Sequence, residues 1–431
     1  MKSSSTLNGI VAIGPFALAL ALSLVACGGG DGGSTHLSAD TSAPAEWSAI
    51  AVKSVLDAAA VTPEGISPME ESRAYAMAFV AAHDALNAIE RRYNPYLSDL
   101  HAPGANADAA VASAVATVLK LVLPSQAAAL DAAFVTALAR LPDGEAKEMG
   151  VTLGQQTAQA ILAARAGDGS ANAQGPYVPA QTPGAYQFTP PFDFAAFVNW
   201  GAVKPFAIVS GNQFRSAAPF ALTDPGYTAD FNEVKSLGEA SSTTRTIDQT
   251  QIARFWLENT PRSWQRIAMK LATDRRLNGW DQMHLFALLQ VAEADAYVAS
   301  FDSKYFYSFW RPITAIRAAA TDGNPDTTAD AAWTSLEPAP PIPDHASGHA
   351  AAAGAGAAVL GSVFTGLVTF THHSETLPGV TRSFVSIAQA EQEIGASRIY
   401  LGIHFRRAVS QGLKQGRQVG GWVVAHVMSP V

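Results

Sequence analysis

The sequence predicts an all-α fold of helical bundles, joined by one long irregular connection rich in proline and aromatic residues. Hydrophobic residues make up 48% of the 431 residues, which is ample for a large buried core. Alanine-rich stretches carry apolar residues at helical spacing, and Gly and Pro cluster between these stretches. Nothing indicates a substantial sheet. A net charge of −8, spread along the chain, offers no basic surface for nucleic acid.

The N-terminus carries an export signal. Lys2 precedes an apolar run that ends at Ala26 and is too short to span a membrane, so residues 1–26 are typical of a signal peptide. Cys27, the only cysteine, follows directly, and the segment resembles a bacterial lipobox. That resemblance implies lipidation of Cys27, and Gly28 after it favours the outer membrane of a Gram-negative cell. An ordinary secretory signal with an incidental cysteine is the alternative.

The mature chain divides into four parts. The Gly/Ser-rich residues 27–45 predict a flexible tether, residues 46–166 an N-terminal helical region, residues 167–227 an irregular segment that wraps over the helices, and residues 228–431 a C-terminal helical domain. Ser67-Pro68 predicts a helix start. Further helices are predicted at about 107–140, 144–166, 228–238, 247–257, 261–274, 277–300, 380–398 and 406–427.

Lys304 and Arg311 begin the first of three polar stretches. They are seven residues apart, so on one helix both side chains would point the same way, and Pro312 would end that helix beside Arg311. Two solvated cations on an amphipathic helix are the ordinary alternative.

Ser347-Gly348-His349 forms the second stretch and precedes an alanine- and glycine-rich run. That run predicts a buried helix with Ser347 and Gly348 at its N-terminus, where free backbone amides attract anions. An ordinary serine cap with a half-buried histidine explains the triplet equally well.

Arg398 and His404 form the third stretch. Six residues apart, they converge only if the helix breaks between them, and residues 401–403 offer that break. A capping arginine and a packing histidine are the alternative. Together the three stretches supply a lysine, two arginines, a serine hydroxyl, a glycine amide and two histidines, which suits a tetrahedral oxyanion.

The order and spacing of these stretches resemble the vanadium-dependent haloperoxidases and the related type 2 phosphatidic acid phosphatases. Their shared pattern is Lys, six residues, Arg-Pro; then Ser-Gly-His; then Ser-Arg, five residues, His. The segments at 82–88 and 233–238 resemble the bacterial haloperoxidase-like branch. This resemblance implies an all-α fold with vanadate held by six residues: Lys304, Arg311, Ser347, Gly348, Arg398 and His404.

The resemblance also implies roles. His404 is the nitrogen ligand of vanadium, His349 the acid–base group and Lys304 the group that polarises hydrogen peroxide during halide oxidation. In the phosphatase alternative, His404 attacks a phosphate monoester to give a phosphohistidine and His349 protonates the leaving oxygen. A third possibility is a catalytically weak binding lipoprotein. Phe301, one turn before Lys304, would place an aromatic ring where a halide packs.

Two positions depart from the family pattern. Ala346 stands where proline is usual, and Ala408 stands where many members carry an aspartate that supports the last histidine. Asp344 and His345 lie close enough in sequence to reach the edge of the pocket. A separate pair, His372-His373 with Glu375, has loose metal-ligand chemistry, but adjacent histidines in a polar loop are more often solvated.

Overall fold

The computed structural model describes residues 40–62 and 65–431. The predicted signal peptide, Cys27 and residues 28–39 of the predicted tether lie outside the described residues. Within the described part of the chain, five α-helices precede the irregular segment: α1 (Ala43–Val61), α2 (Pro68–Ile89), α3 (Ala107–Val122), α4 (Ala127–Ala139) and α5 (Glu145–Arg165). Helix α1 thus begins inside the stretch assigned to the tether. Pro124 separates α3 from α4 in what the sequence predicts as one helical stretch.

The described C-terminal part is also mainly helical, as the fold class predicts. Its helices are α6 (Pro225–Leu237), α7 (Ile247–Phe255), α8 (Thr260–Asp274), α9 (Gly279–Tyr307), α10 (Pro312–Ala318), α11 (Gly348–Val363), α12 (Ile387–Tyr400) and α13 (Arg406–His426). One antiparallel hairpin, β1 (Phe370–His373) and β2 (Thr381–Phe384), joins α11 to α12. The start of the helix predicted at 380–398 was therefore wrong, because residues 381–384 pair with β1.

Helix α9 is the centre of the molecule. It packs against five other helices: α1, α2, α8, α11 and α13. Most of its residues are buried, which explains its continuous apolar sequence. Its N-cap Asn278 accepts a hydrogen bond from the backbone N–H of Asp281 at 3.0 Å. None of the helices within the described ranges is both long and apolar enough to cross a membrane.

The irregular segment between α5 and α6 lies along the C-terminal half of α9. The Asp295 carboxylate on α9 accepts hydrogen bonds from three successive backbone amides, those of Phe206, Ala207 and Ile208. Further along, the backbone N–H of Trp310 donates to the carbonyl of Gly184 at 2.9 Å. The segment is thereby tied both to α9 itself and to the turn that follows it, and this turn leads to Arg311.

Candidate functional site

The structure brings the three polar stretches together where five helices end or begin. Lys304 lies in the last turn of α9, and Arg311 is the residue before α10. The Ser347–His349 triplet starts α11, Arg398 lies in the last turn of α12 and His404 precedes α13. Lys304, Arg311 and Ser347 are fully buried, and Arg398 and His404 are 5% and 4% exposed. The burial excludes the alternative of solvated cations on a helix surface.

Arg311 reaches the site by a different route from the predicted one. The prediction of one helix from Lys304 to Arg311 was wrong: α9 ends at Tyr307, and Ser308 adopts a left-handed conformation at φ 45°. The reversal after Ser308 brings Arg311 back towards Lys304, close enough for Arg311 to lower the lysine pKa. The two cations meet across a turn and not along a helix face.

The loop before α11 holds the side chain of Lys304 through two carbonyl oxygens. Its Nζ donates hydrogen bonds to the carbonyl oxygens of Pro343 at 2.7 Å and Asp344 at 3.1 Å. Burial lowers the pKa of this ammonium well below its usual range, and the neighbouring Arg311 lowers it further. Lys304 therefore sits where a negative ligand would strongly stabilise its charged form.

Two of the three nitrogens of the Arg311 guanidinium have hydrogen-bond partners in the protein. Its Nε donates to the carbonyl of Ile342 and its Nη1 to the carbonyl of Ile403, both at 2.7 Å. Nη1 also lies 3.1 Å from Nε2 of His404. The remaining nitrogen, Nη2, is buried and has no hydrogen-bond partner. A buried guanidinium nitrogen without an acceptor is costly, so this donor indicates a place for an acceptor atom of a ligand.

His404 presents a lone pair to this cationic centre. Nη1 of Arg311 lies 3.1 Å from Nε2 and 3.4 Å from Nδ1 of His404, and because arginine only donates, the ring nitrogen that accepts from it carries no proton. The Asp344 carboxylate beside Nδ1 places the proton of the neutral ring on Nδ1 and leaves Nε2 as the acceptor. Nδ1 lies 2.8 Å from Oδ1 of Asp344, which accepts that proton in a hydrogen bond. Burial, Arg311 and Lys304 hold the pKa of His404 well below its usual range. Nε2 of the neutral ring is therefore the nucleophilic or metal-binding atom.

The start of α11 and the end of α12 complete the enclosure. The Ser347 hydroxyl accepts from the backbone N–H of Ala350 at 3.4 Å, so it is the helix cap that the sequence predicts. A Cβ atom on Gly348 would lie 3.3 Å from Oγ of Ser300 and 3.6 Å from the Tyr297 ring. A side chain at position 348 would therefore crowd Ser300 and Tyr297 of α9, which explains the glycine at the start of α11. Tyr297 and Ser300 were not anticipated, since nothing in the α9 sequence distinguishes them from core residues.

Arg398 and His349 lie together on the α12 side. Arg398 donates through Nε to the Ser397 hydroxyl at 3.0 Å and through Nη2 to the carbonyl of Trp256. The helix ends soon after Arg398, and Gly402 at φ 78° turns the chain back, as the predicted break requires. His349 has a buried Nε2 without a hydrogen-bond partner. Burial and Arg398 lower the pKa of His349 well below its usual range, so its ring is neutral.

The site carries a large positive excess. Three buried cations, Lys304, Arg311 and Arg398, converge on it, and Asp344 is the carboxylate that opposes Lys304 and Arg311 electrostatically. Burial raises the pKa of Asp344 to about 7 in spite of these two neighbours. An arrangement of this kind stabilises a bound anion, because the anion neutralises charges that solvent does not reach.

Comparison with known proteins agrees with this geometry. A family model described as the VCPO second helical-bundle domain matches residues 284–431, which contain all the candidate anion-binding residues. Vanadium chloroperoxidase from Curvularia inaequalis is 26% identical over 273 residues, which are 47% of this chain and 44% of that protein. The matched region thus spans under half of that relative's length. The chain is thus similar to the vanadium haloperoxidases.

Solved structures extend the family likeness to most of the chain. The first bacterial vanadium-dependent iodoperoxidase is 26% identical, with a TM-score of 0.78 over 89% of this chain and 97% of that one. A holo-type bacterial vanadium-dependent chloroperoxidase shares the fold at 18% identity, with a TM-score of 0.67 over 85% of this chain and 94% of that one. The all-α fold of the family is therefore confirmed.

The residues of this chain fit vanadate by their own chemistry. The unpartnered Nη2 of Arg311, the backbone amide of Gly348 at the start of α11 and the excess of positive charge suit the oxygens of a tetrahedral oxyanion. The lone pair on Nε2 of His404 suits a nitrogen ligand. His404 also has a carboxylate partner although Ala408 stands where an aspartate was expected, because Asp344 lies 2.8 Å from its Nδ1.

Phe301 and His372, two further residues considered in the sequence, are both buried. Phe301 is buried in an apolar cluster with Tyr297 and meets Phe197 of the irregular segment at a ring distance of 6.3 Å. His372 was expected to be solvated, and this was wrong: it is 4% exposed, stacks on Trp256 and lies 3.4 Å from Glu258. Within the described ranges, no cluster of three or more His, Cys, Asp or Glu side chains is arranged to hold a metal ion.

Proposed function

We propose that this protein is a vanadate-dependent haloperoxidase-like enzyme that oxidises a halide with hydrogen peroxide. The observation that carries the proposal is that three buried cations, Lys304, Arg311 and Arg398, act electrostatically on His404, with Arg311 3.1 Å from its Nε2. A cationic pocket with one oriented imidazole nitrogen provides both the charge for an oxyanion and a ligand for its central atom. The family likeness supports the same reaction class.

Six residues would hold vanadate. Lys304, Arg311, Arg398, the Ser347 hydroxyl and the Gly348 amide would bind its oxygens, and Nε2 of His404 its vanadium. When bound, vanadate would supply the Lewis acidity that activates hydrogen peroxide toward halide. Arg311 would give up its hydrogen bond to His404 and redirect its donors to the anion, since Nη2 already lacks an acceptor.

The overall reaction consumes one proton when peroxide and halide become hypohalous acid and water. His349 is the group placed to handle that proton, because its Nε2 is buried, neutral and without a partner. Lys304 would polarise the peroxide through its ammonium, which two backbone carbonyls hold in a fixed direction. Both roles depend on a water-poor site, where such interactions are strongest.

The test is to load the purified protein with orthovanadate and to measure peroxide-dependent halogenation of a dione with iodide, bromide and chloride in separate assays. Iodide is the first halide to test because the bacterial iodoperoxidase is similar over most of this chain. Hydrolysis of a phosphate monoester without vanadate is measured in parallel. Halogenation that requires vanadate supports the proposal.

Two results would overturn it. Ester hydrolysis that vanadate inhibits, without halogenation, identifies a phosphatase, because the same donors suit a phosphate ester. Vanadate binding without either activity identifies a binding protein. His404→Ala is expected to abolish halogenation, whereas His426→Ala, at an exposed position of α13, should leave it unchanged.

We further propose that the enzyme is exported and anchored to the membrane through Cys27. The position of this single cysteine after the apolar run of residues 10–26 supports the proposal. In a bacterial host, the wild-type protein should fractionate with membranes and release on detergent treatment. Cys27→Ser should move it to the soluble fraction, and unchanged membrane association of that variant would contradict lipidation.

A further inference from the structure

We propose that Asp344 is the positioning residue that fixes the ring and tautomer of His404, in place of the carboxylate that Ala408 lacks. This inference rests on the proposed function, since it concerns how the protein prepares Nε2 for the central atom of the anion. It assigns Asp344 no contact with the anion or with the reacting atoms.

Geometry carries the first step. Oδ1 of Asp344 lies 2.8 Å from Nδ1 of His404, and the two side chains are 1% and 5% exposed. Nη1 of Arg311 lies 3.1 Å from Nε2 and 3.4 Å from Nδ1, so the arginine lies beside both ring nitrogens and is nearer to Nε2. Because the carboxylate accepts and the guanidinium donates, the neutral tautomer that satisfies both partners carries its proton on Nδ1. The ring cannot flip without losing both hydrogen bonds.

The backbone of Asp344 is itself fixed. Its N–H donates to the carbonyl of Phe309 at 2.9 Å, and its own carbonyl accepts from Lys304 Nζ at 3.1 Å. The same residue therefore holds Lys304 through its main chain and His404 through its side chain. A shift of this loop would move two of the proposed anion-binding groups together.

Ala408 and Asp344 lie near one another in the fold. A cavity of about 10 Å³ is lined by both residues, and also by Phe405 of the turn that carries His404. Ala408 is fully buried, and its carbonyl accepts from the backbone N–H of Ser347 at 3.0 Å. An aspartate at position 408 would approach His404 from α13, whereas Asp344 approaches it from the loop before α11. Positions 344 and 408 are thus two places in the fold from which a carboxylate would reach His404.

The chain offers a matched set of variants. Asp344→Ala removes the acceptor, Asp344→Asn keeps an oxygen that can accept from Nδ1–H, and Asp344→Ala with Ala408→Asp returns a carboxylate from the other side. Asp143→Asn, at an exposed position on the surface, is the control. Vanadate affinity is measured by calorimetry, and two-bond ¹H–¹⁵N spectra of histidine-labelled protein without vanadate report the His404 tautomer.

We expect Asp344→Ala to weaken vanadate binding by about 10- to 100-fold and to mix the two tautomers of His404. Asp344→Asn should lose less affinity and retain the Nδ1–H form, and the double variant should recover part of the loss. Asp143→Asn should match the wild type. A thermal melt of each variant confirms that it is folded.

Three results separate the possible failures. An Asp344→Ala protein that binds vanadate within about twofold of wild type, or that keeps the Nδ1–H tautomer, overturns the role of Asp344. Absence of recovery in the double variant overturns the equivalence of positions 344 and 408. A wild-type protein that binds no vanadate contradicts the proposed function instead, and the tautomer spectra then still decide the role of Asp344.

Discussion

Gly416 on α13 lies directly against the carbonyl oxygen of Ala351 on α11, with no room for a Cβ atom between them. Gly412 and Gly420, one turn to either side, make the same close approach to Ser347 and Ala355. Three glycines on one helix face thus let two backbones touch. Since α11 starts with the Ser347–His349 triplet and His404 precedes α13, this contact sets the distance between two parts of the site.

Replacement of Gly416 by alanine should separate α11 from α13. Overpacking of this kind destabilises a fold by about 1–3 kcal/mol, and we expect Gly416→Ala to lower the melting temperature and weaken vanadate binding. The matched control is Gly421→Ala on the same helix, where nothing lies within 4 Å of the added methyl group. That variant should gain about 0.5–1 kcal/mol from helix propensity. Equal melting temperatures for the two variants would contradict this account of the packing.

Lys304 should contribute to anion affinity through its charge. Lys304→Gln keeps a donor for the carbonyls of Pro343 and Asp344 but removes the positive charge. Hydrogen bonds to charged groups contribute about 1.5–3 kcal/mol, so vanadate and phosphate affinity should fall by about 10- to 100-fold. Lys414→Gln, at an exposed position of α13, is the control and should bind like wild type. Calorimetric titration of both variants is the measurement, and equal affinities would exclude Lys304 from the site.

The helical fold could be predicted from the sequence because alanine-rich periodicity and proline boundaries are local signals. The break between Arg398 and His404 was also predictable, since Gly402 marks it. The course of the chain from Lys304 to Arg311 was not. Ser308 ends α9 in a left-handed conformation that serine rarely adopts, and only the surrounding packing, including the bond from Tyr186 to the Ser308 carbonyl, selects it.

Partners distant in sequence were equally hard to foresee. Asp344 and His404 are 60 residues apart, and the position of Asp344 before the serine shows only that it lies near the pocket. His372 is buried because β1 carries it against Glu258 and Trp256. Burial alternates along β1, but a strand of four residues is too short to give a clear periodic signal in the sequence. Tertiary contacts, not propensity, place these side chains.

A buried ion pair joins the two halves of the described chain. Glu71 on α2 is fully buried and accepts from Nε and Nη2 of Arg262 on α8, both at 3.2 Å. Arg262→Ala would leave the Glu71 carboxylate without its cation, and loss of one partner of a buried pair costs about 3–5 kcal/mol. Arg140→Ala breaks the exposed pair with Glu46 and should cost under about 1 kcal/mol. Urea denaturation measures the loss of unfolding free energy in each variant. Similar losses would show that the buried Glu71–Arg262 pair contributes no more than the exposed pair.

Glu293 should make stability depend on pH. This residue on α9 is fully buried, and neither carboxyl oxygen has a hydrogen-bond partner of normal geometry. Burial, reinforced by Glu71, raises its pKa well above the ordinary value of 4.5. The folded state therefore holds the proton more tightly than the unfolded state. The stabilisation of the folded state by protonated Glu293 is complete below about pH 4.5 and is lost as the pH rises toward the folded-state pKa.

Glu293→Gln mimics the protonated acid at every pH and should remove this dependence. We expect its melting temperature to equal that of wild type near pH 4 and to exceed it by about 2 °C or more at pH 8. Glu148→Gln, at an exposed position of α5, serves as the control and should show no such divergence. Thermal melts from pH 4 to 8 are the measurement. A constant offset between Glu293→Gln and wild type across this range would mean that Glu293 does not titrate differently in the folded and unfolded states.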